Sequence, residues 1–422
     1  MVSISRRYRV RDVPTVGRVR TLPGAVAPPR LSGPVVAFMS FAAGLGTSTV
    51  YPLQPAIAEV AGSLGAGVTA VGVALACGSV GYMAGLALLV PLVDRFPPGR
   101  VLSAQFAALA VVLAAAAAVG EVAALGVVLA VIGACSTVGA GIGSVAGRLA
   151  PPGRRAVVLG TVTAGISAGI LAGRIVGGGL ADELGWRAML LVFAGACGLV
   201  AVCCPALLPH APGRPGTDYL ATVRSLPGLF VRHPALRIAA LRGALWFFAF
   251  CAVWAGIAVA LSAPPFSYPA DRIGLYALAG LAGIPATRVA GSCTDRVGAR
   301  RVILLGLALA GAATVVLGFG LADTVVTLVC LALFDAGLFA AQVANQSTVL
   351  ALDPEAPARF NGAYMLVYFV GGSLGTAFGA AAVDWFGWPV TIAVAAAAVA
   401  SAAALTVVAG PRSARSASSP TR

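Results

Sequence analysis

The feature that most constrains this chain is a succession of long segments without charge. Between residues 34 and 410, apolar runs of membrane-spanning length follow one another, separated by short polar connections. A helix of about 20 apolar residues crosses the hydrocarbon layer of a bilayer. Lipid offers the backbone no hydrogen-bond partner, so each run must satisfy its own N–H and C=O groups as a helix. The pattern therefore predicts an all-α membrane protein.

Composition argues against a soluble protein. Hydrophobic residues make up 59% of the 422 residues and charged residues 10%, whereas a soluble domain carries roughly 25% charged residues. The net charge of +14 comes from Arg alone, because the chain has no Lys. These Arg residues are scattered over many short connections, which is typical of membrane-protein loops and not of a nucleic-acid-binding face.

Twelve helices are predicted, and the longest internal connection divides them into six and six. The predicted organisation is a basic tail (1–33), an N-terminal six-helix bundle (34–208), a linker (209–237), a C-terminal bundle (238–410) and a second tail (411–422). The predicted helices are 34–57, 67–93, 101–120, 122–147, 156–180, 187–208, 238–262, 272–294, 302–321, 324–350, 360–382 and 388–410.

Arg residues fall mostly on one side of the predicted membrane. The tails and connections on the side of the termini hold 23 of them, whereas the opposite side has only Arg187 and Arg272. Arg and Lys concentrate in cytoplasmic loops. Both termini are therefore predicted to lie in the cytoplasm.

A charged stretch occurs twice, about 200 residues apart. The segment VPLVDRFPPGRV (Val90–Val101) contains Asp94, and AGSCTDRVGARR (Ala290–Arg301) contains Asp295, 201 residues later. Glycines of the fifth and eleventh predicted helices repeat at an offset of 202. Two independent features at nearly the same offset predict a tandem duplication of a six-helix unit. The matching glycines are Gly169, Gly173 and Gly177 with Gly371, Gly375 and Gly379.

These motifs resemble those of the major facilitator superfamily over residues 34–410. The segment DRVGARR from Asp295 is similar to the family signature between helices 2 and 3 and between helices 8 and 9. The glycine-rich fifth helix, with GRIVGG at Gly173–Gly178, and YPLQP at Tyr51–Pro55 resemble the bacterial drug and arabinose-efflux branch of drug:proton antiporters. The resemblance implies two pseudo-symmetric six-helix bundles in a bacterial plasma membrane, as a monomer.

The resemblance also implies a cytoplasmic gate made by the two charged stretches. Each Asp is expected at the start of a helix in the opposite half, near Gly362 for Asp94 and near Ala156 for Asp295, where the helix dipole favours a carboxylate. Gly291 and Gly298 are expected to let the backbone turn. The alternative is a set of ordinary loop charges. The gate candidates are Asp94, Arg95, Arg100, Arg288, Gly291, Asp295, Arg296, Gly298, Arg300 and Arg301.

Asp335 is the only acid deep within a predicted helix. A carboxylate inside a bilayer costs about 2.5–3.5 kcal/mol, so Asp335 is expected to face a cavity or a partner. Its candidate roles are proton exchange or substrate binding, with a structural ion pair as the alternative. Arg174 lies at a similar depth. It is expected to hold an anionic group of a substrate, to pair with Asp335, or to brace the fifth helix against the eighth.

Polar, aromatic and glycine residues complete the candidate set. Gln342 is two turns from Asp335 on a similar helix face. Membrane aromatics also serve as interface anchors or packing, which is the alternative for each of them. The other cavity candidates are Tyr51, Gln54, Trp254 and Tyr368, followed by Trp246, Asn345 and Tyr364. The glycines expected to allow close helix packing are the six that repeat and Gly178.

The predicted function is proton-coupled efflux of a small organic solute, such as a drug or a sugar, by antiport and alternating access. The alternatives are proton-coupled uptake by symport and a membrane sensor or scaffold that binds without transporting. The sequence shows no nucleophile–His–acid set, metal cluster or phosphate-binding loop. No enzymatic activity, metal or cofactor is therefore expected. The expected partners are a small-molecule substrate, protons and the lipid bilayer, without nucleic acid.

The gate hypothesis predicts the effect of Asp295→Asn. The substitution removes the charge and keeps the side-chain shape, so transport after reconstitution into liposomes should slow while membrane insertion is unchanged. A carboxylate at a helix start contributes about 0.3–1 kcal/mol when exposed, and more when partly buried. Transport at the wild-type rate, at matched amounts of inserted protein, would contradict the gate.

Overall fold

The computed structural model describes residues 31–151, 154–209, 228–353 and 357–409, without the side chains of Asp94, Ala156, Pro357 and Ala358. Most of the two predicted tails and of the linker lies outside these residues. Twelve membrane-length or near-membrane-length helices run through the described part. They are α1 Gly33–Ser48, α2 Val68–Leu88, α3 Pro98–Ala117, α4 Val122–Leu149, α5 Arg155–Leu184, α6 Trp186–Leu207, α7 Pro234–Ser262, α8 Ala270–Val297, α9 Ala299–Gly320, α10 Thr324–Leu350, α11 Pro357–Phe386 and α12 Trp388–Val408.

The first helix is shorter than predicted. It ends at Ser48, and the chain continues through turns that contain Pro52 and Pro55 to a short helix, Ile57–Ser63. Proline lacks the N–H that a helix interior needs, which explains why the predicted end at residue 57 was wrong. The turns carry Tyr51 and Gln54 into the protein interior. The other predicted helices are present, and α10 has the predicted bounds.

Glycine with positive φ makes the sharp connections between consecutive helices. Gly185, Gly298 and Gly387 have φ values of 81°, 87° and 80°, a region that side chains disfavour. Gly298 therefore turns the chain between α8 and α9, as expected. The expectation for Gly291 was wrong, because α8 continues to Val297 and Gly291 stays within the helix.

Two helices contain an interruption. In α4, Thr137 separates Val122–Ser136 from Val138–Leu149. In α8, the segment Tyr276–Ala282 is a 3₁₀-helix between two α-helical parts. A 3₁₀ run of seven residues is unusually long, because its hydrogen-bond geometry is poorer than that of an α-helix. Thr137 is fully buried, whereas the 3₁₀ segment has one buried face and exposes Leu278 and Leu281 on the other.

Because twelve helices reverse direction at each connection, Leu31 and Ala409 lie at the same end of the bundle. We call it the terminal end and the opposite one the distal end. Within the first six helices, α1 packs on α5, α2 on α4 and α3 on α6. The equivalent pairs of the last six are α7 with α11, α8 with α10 and α9 with α12. The helices thus form two pseudo-symmetric six-helix bundles, and we call each of them a half.

Glycines bring α1 against α5, and α7 against α11, at backbone distance. Gly169 lies so close to the backbone of Gly44 that any side chain would overlap it, and Gly371 meets the backbone of Ala244 in the same way. The next glycines along α5 and α11 repeat the pattern: Gly173 with Ser48, Gly177 with Pro52, Gly375 with Phe248 and Gly379 with Ala252. The repeat seen in the sequence is therefore a repeat of helix contacts.

The two halves touch toward the distal end. On one side, Gly178 of α5 packs against the backbone of Ala270 in α8. On the other side, α2 packs along α11. The Thr69 hydroxyl donates to Asp384 over 2.7 Å at the distal end, and the Tyr82 and Phe369 rings lie 4.8 Å apart farther from it. The terminal part of α8, Gly283–Val297, contacts α5 sparsely. The interface between the halves is thus closed at the distal end.

The helix contacts predict different outcomes for two glycines of α5. Gly169→Ala places a methyl group on the Gly44 backbone and should destabilise the protein by roughly 1–3 kcal/mol, as overpacking does. Gly179→Ala is the control, because no atom lies within 4 Å of the position of its side chain. Apparent melting temperatures in detergent, followed by size-exclusion chromatography after heating, measure the difference. Equal melting temperatures would contradict the proposed close contact.

Candidate functional site

Arg174 of α5 is held by three side chains at the centre of the bundle. It is 4% exposed, and its Nε donates a hydrogen bond of 2.8 Å to Oε1 of Gln54. Its guanidinium also lies over two rings, 4.9 Å from the centre of Tyr51 and 4.4 Å from that of Trp254. These contacts join α5 and the turns after α1 to α7, so Arg174 bridges the two halves.

Asp335 of α10 also contacts Trp254, at the Nε1 edge of the indole. It is 1% exposed, and Nε1 of Trp254 donates to its Oδ1 over 3.1 Å. Among the described residues it forms no ion pair with Arg174, and the two side chains line the same small space. Trp254 contacts both groups, Asp335 through its Nε1–H and Arg174 through its ring face. Of the three roles expected for Arg174, direct pairing with Asp335 is therefore absent in this conformation. Its backbone does brace α5 against α8, at Gly274.

A cavity of about 240 Å³ lies beside Arg174, between the halves. A smaller space of about 40 Å³ adjoins it and reaches Asp335, next to the 3₁₀ segment of α8 at Gly280. Both spaces are lined by Arg174, Phe250 and Phe339. A larger apolar groove of about 560 Å³ lies between α1 and α5, but no charged residue lines it. The central cavity is therefore the candidate site.

Aromatic rings from both halves form much of the cavity wall. Phe247 and Tyr368 are stacked, with ring centres 4.0 Å apart, and Phe250 and Phe339 meet edge to face at 5.9 Å. Tyr82 joins them from α2. Of the sequence candidates, the structure brings Tyr51, Gln54, Arg174, Trp254, Asp335 and Tyr368 together at the cavity or beside it.

Gln342 lies elsewhere, in a second buried polar cluster of the C-terminal half. Arg242 of α7 is 8% exposed and donates from Nε to Asn345 over 2.6 Å. Asn345 donates to the Ala239 carbonyl at 3.0 Å and to the Tyr364 hydroxyl at 3.3 Å, and that hydroxyl donates to Gln342 at 2.6 Å. Asn345 and Tyr364 thus support Arg242 and do not line the cavity. Trp246 is also buried away from it.

Sequence reasoning missed the functional potential of Arg242. It lies two turns inside α7, and the sequence placed it within a predicted helix without suggesting a role for it. The signal that could have found it is the pair Asn345 and Tyr364, because uncharged polar residues deep in a membrane helix need a partner. Among the described side chains, Arg242 has no carboxylate partner, so its charge is balanced only by neutral hydrogen-bond acceptors.

The gate candidates lie at the terminal end, and most of them are exposed. Arg300 donates to the carbonyls of Thr406 and Val407, so it caps the end of α12 within its own half. Asp295 is exposed at the end of α8, and the side chain of Asp94 is outside the described set. The contact of Asp295 with α5 stays a prediction for another conformation. The remaining candidates Arg95, Arg100, Arg288, Arg296 and Arg301 are exposed.

The Arg242 cluster predicts a loss of stability in Asn345→Ala. The substitution leaves a buried guanidinium without its closest acceptor, which should cost about 1–3 kcal/mol. Gln346→Ala is the matched control, because it removes one hydrogen bond, to Asn361, from a half-buried neighbouring residue. The apparent melting temperature in detergent should fall clearly further for Asn345→Ala. A larger fall for Gln346→Ala would contradict the assigned role of the cluster.

Comparisons with known proteins agree with the twelve-helix fold. In Escherichia coli K12, the putative uncharacterized transporter YgaY is 30% identical over 358 residues, which cover 85% of this chain and 91% of YgaY. The probable transporter SCO4007 of Streptomyces coelicolor is 35% identical over 378 residues, 88% of this chain and 85% of SCO4007.

Solved structures share the fold at low sequence identity. A bacterial homologue of the human lysosomal transporter Spinster, in an inward-facing and occupied conformation, has a TM-score of 0.72 at 14% identity, covering 92% of this chain and 98% of its own. A mutant of the nucleoside transporter NupG has a TM-score of 0.72 at 13% identity, covering 89% and 98%. The family model of the Major Facilitator Superfamily matches residues 36–376 and 266–422. This chain therefore belongs to the Major Facilitator Superfamily and is a multi-pass membrane transporter.

Proposed function

We propose that this chain is a proton-coupled secondary transporter of a small organic solute, working by alternating access of its two halves. The observation that carries the proposal is the buried set of Arg174, Trp254 and Asp335, which joins the halves beside the central cavity. Buried ionisable groups inside a membrane are costly, and those that line a cavity commonly serve ion or substrate pathways.

We assign the terminal end to the cytoplasm of a bacterial inner membrane, on the distribution of Arg along the chain. The halves are packed together at the distal end, and the terminal part of α8 contacts α5 sparsely. With this orientation, the conformation is one in which the cavity is closed toward the outside. The Asp295 contact would then form when the terminal end closes.

Asp335 is the proposed proton site. It is surrounded by apolar residues, with Trp254 of α7 as its hydrogen-bond donor and Gly280 of α8 beside it. Arg174 of α5 lines the same small space as Asp335. Two further titratable groups, Tyr51 and Cys251, line the main cavity together with Arg174. Burial makes the ionised form of this carboxyl group unfavourable, and the size of that free-energy cost depends on which group neutralises Arg174.

Export by antiport is the direction that the glycine-rich α5 favoured. The structure explains those glycines by helix packing, and α11 has the same contacts in the other half, so they do not distinguish antiport from symport. Proton-coupled uptake is the second candidate. It is favoured because an ionised Asp335 would partly neutralise Arg174, whereas a protonated one leaves Arg174 free for an anion. A proton and an anionic solute would then bind together, which is symport.

Proton coupling predicts the behaviour of Asp335→Asn. The purified protein is reconstituted into liposomes that contain the pH-sensitive dye pyranine, and an inward gradient of sugars, amino acids, cationic drugs or aryl carboxylates is imposed in turn. The wild type should move protons with one class of solute: the interior becomes more acidic in symport and more alkaline in antiport.

Asp335→Asn should exchange the solute across the membrane without net proton movement, since Asn binds no proton. Asp182→Asn, at an exposed carboxylate of α5, should behave like the wild type. Proton movement that persists in Asp335→Asn would exclude Asp335 as the proton site.

A further inference from the structure

We infer that the solute is a small organic anion that carries an aromatic ring. Its carboxylate, or an equivalent anionic group, binds Arg174, and its ring stacks against the aromatic wall formed by Phe247, Phe250 and Tyr368. This inference deepens the proposed function, because it names the substrate class of the same cavity, and it rests on that function only where transport is measured.

The charge of the cavity wall selects an anion. Arg174 is the one formally charged residue among the described residues that line the main cavity, while Asp335 borders only the small adjoining space. The guanidinium is nine-tenths buried, and its only hydrogen bond among the described residues is from Nε to Gln54. Its two terminal nitrogens can therefore donate to a ligand. A carboxylate matches this planar fork and supplies the charge that a buried Arg needs.

The shape of the wall selects a ring. Phe247 and Tyr368 are parallel to within 11°, and Phe250 lies parallel to within 18° of Phe247 at 5.9 Å, so a stack of nearly parallel rings stands in the cavity wall. Aromatic pairs prefer offset stacking or edge-to-face contacts and gain energy beyond the burial of apolar area. The cavity of about 240 Å³ lies below the roughly 300–1,000 Å³ typical of drug-sized pockets, which favours a molecule of one or two rings.

Three polar groups of the wall are unavailable to a sugar, which leaves the hydroxyls of Tyr51, Ser79, Tyr82 and Tyr368. The hydroxyls of Thr47 and Thr376 donate to carbonyls of their own helices, Ala43 and Gly372, at 2.8 and 3.0 Å. Oε1 of Gln54 already accepts from Arg174. A polyol that enters the cavity gives up hydrogen bonds to water, and this wall replaces only part of them. Each hydroxyl left unpaired lowers the affinity. An aryl carboxylate needs one charged contact and an apolar surface, and the cavity provides both.

Binding to the purified wild-type protein tests the class without any substitution. The four probes are benzoate, benzamide as its neutral isostere, cyclohexanecarboxylate as the anion without an aromatic face, and benzylamine as the cation. Benzoate should bind most tightly, about tenfold or more above benzamide, as a charge-assisted contact implies. Isothermal calorimetry and the ligand-induced rise in melting temperature measure the affinities. Benzamide, benzylamine or cyclohexanecarboxylate binding as tightly as benzoate, or no binding of any probe, would overturn the inference.

Substitutions at Arg174 locate the contact. In Arg174→Gln the benzoate affinity should fall to that of benzamide, and in Arg174→Lys it should be intermediate, because Lys keeps the charge but loses the planar fork. Arg272→Gln is the control. It removes another Arg that stacks on an aromatic ring, Tyr268, outside the cavity, and it should leave the affinity unchanged. If Arg174→Gln does not fold, Arg174→Lys still tests the contact. Arg272→Gln should discriminate between benzoate and benzamide as strongly as the wild type, and Arg174→Lys should discriminate less strongly.

Transport of the same probes separates this inference from the proposed function. Benzoate uptake with acidification of the interior, faster than the passive entry of benzoic acid into protein-free liposomes, supports both. Selective benzoate binding without transport of any solute would overturn the proposed function and leave the substrate class of the cavity standing. Proton-coupled transport of a sugar or a cation, with no benzoate binding, would overturn the substrate class and leave the transport function standing.

Discussion

Backbone contact at glycine is the interaction on which the rest of this structure depends. Because Gly173 lets α5 lie against Ser48 and Tyr51, the next residue, Arg174, is placed within reach of the turns that carry Gln54. In the other half, Gly379 lets α11 lie against the backbone of Ala252 in α7, two residues before Trp254. The chemistry of the cavity thus follows from how closely two helix pairs approach, and lipid-facing residues have little influence on it.

The fold and half of the candidate site were accessible from the sequence for physical reasons. Uncharged runs indicate the segments that cross the membrane. Asp335 and Arg174 are recognisable as candidates in the sequence, because a charge inside a membrane is energetically costly. The end of α1 was placed incorrectly, because Pro52 and Pro55 act as helix breakers in a run that is otherwise apolar enough to continue. The partners of Gln342 were not accessible at all, since they depend on how α7, α10 and α11 are rotated toward one another.

The indole of Trp254 contacts two opposite charges that do not pair with each other in this conformation. Its Nε1–H stabilises the carboxyl group of Asp335, and its face stabilises the guanidinium of Arg174. A direct ion pair at this depth would leave neither group available to a ligand or a proton. Without that pair, both groups stay available while each lies within the electric field of the other. In the Arg242 cluster, by contrast, the guanidinium donates its hydrogen bonds to neutral acceptors.

The winding of α8 has a mechanical consequence. A 3₁₀-helix rises about 2.0 Å per residue with 3.0 residues per turn, and an α-helix about 1.5 Å with 3.6. Over the seven residues Tyr276–Ala282, the two forms differ by roughly 3.5 Å in length and 140° in rotation. Gly280 in this segment touches Asp335, and Asp295 lies at the far end of the same helix. A change between 3₁₀ and α winding beside the carboxyl group would rotate the terminal part of α8 and shift it along the helix axis as one rigid body.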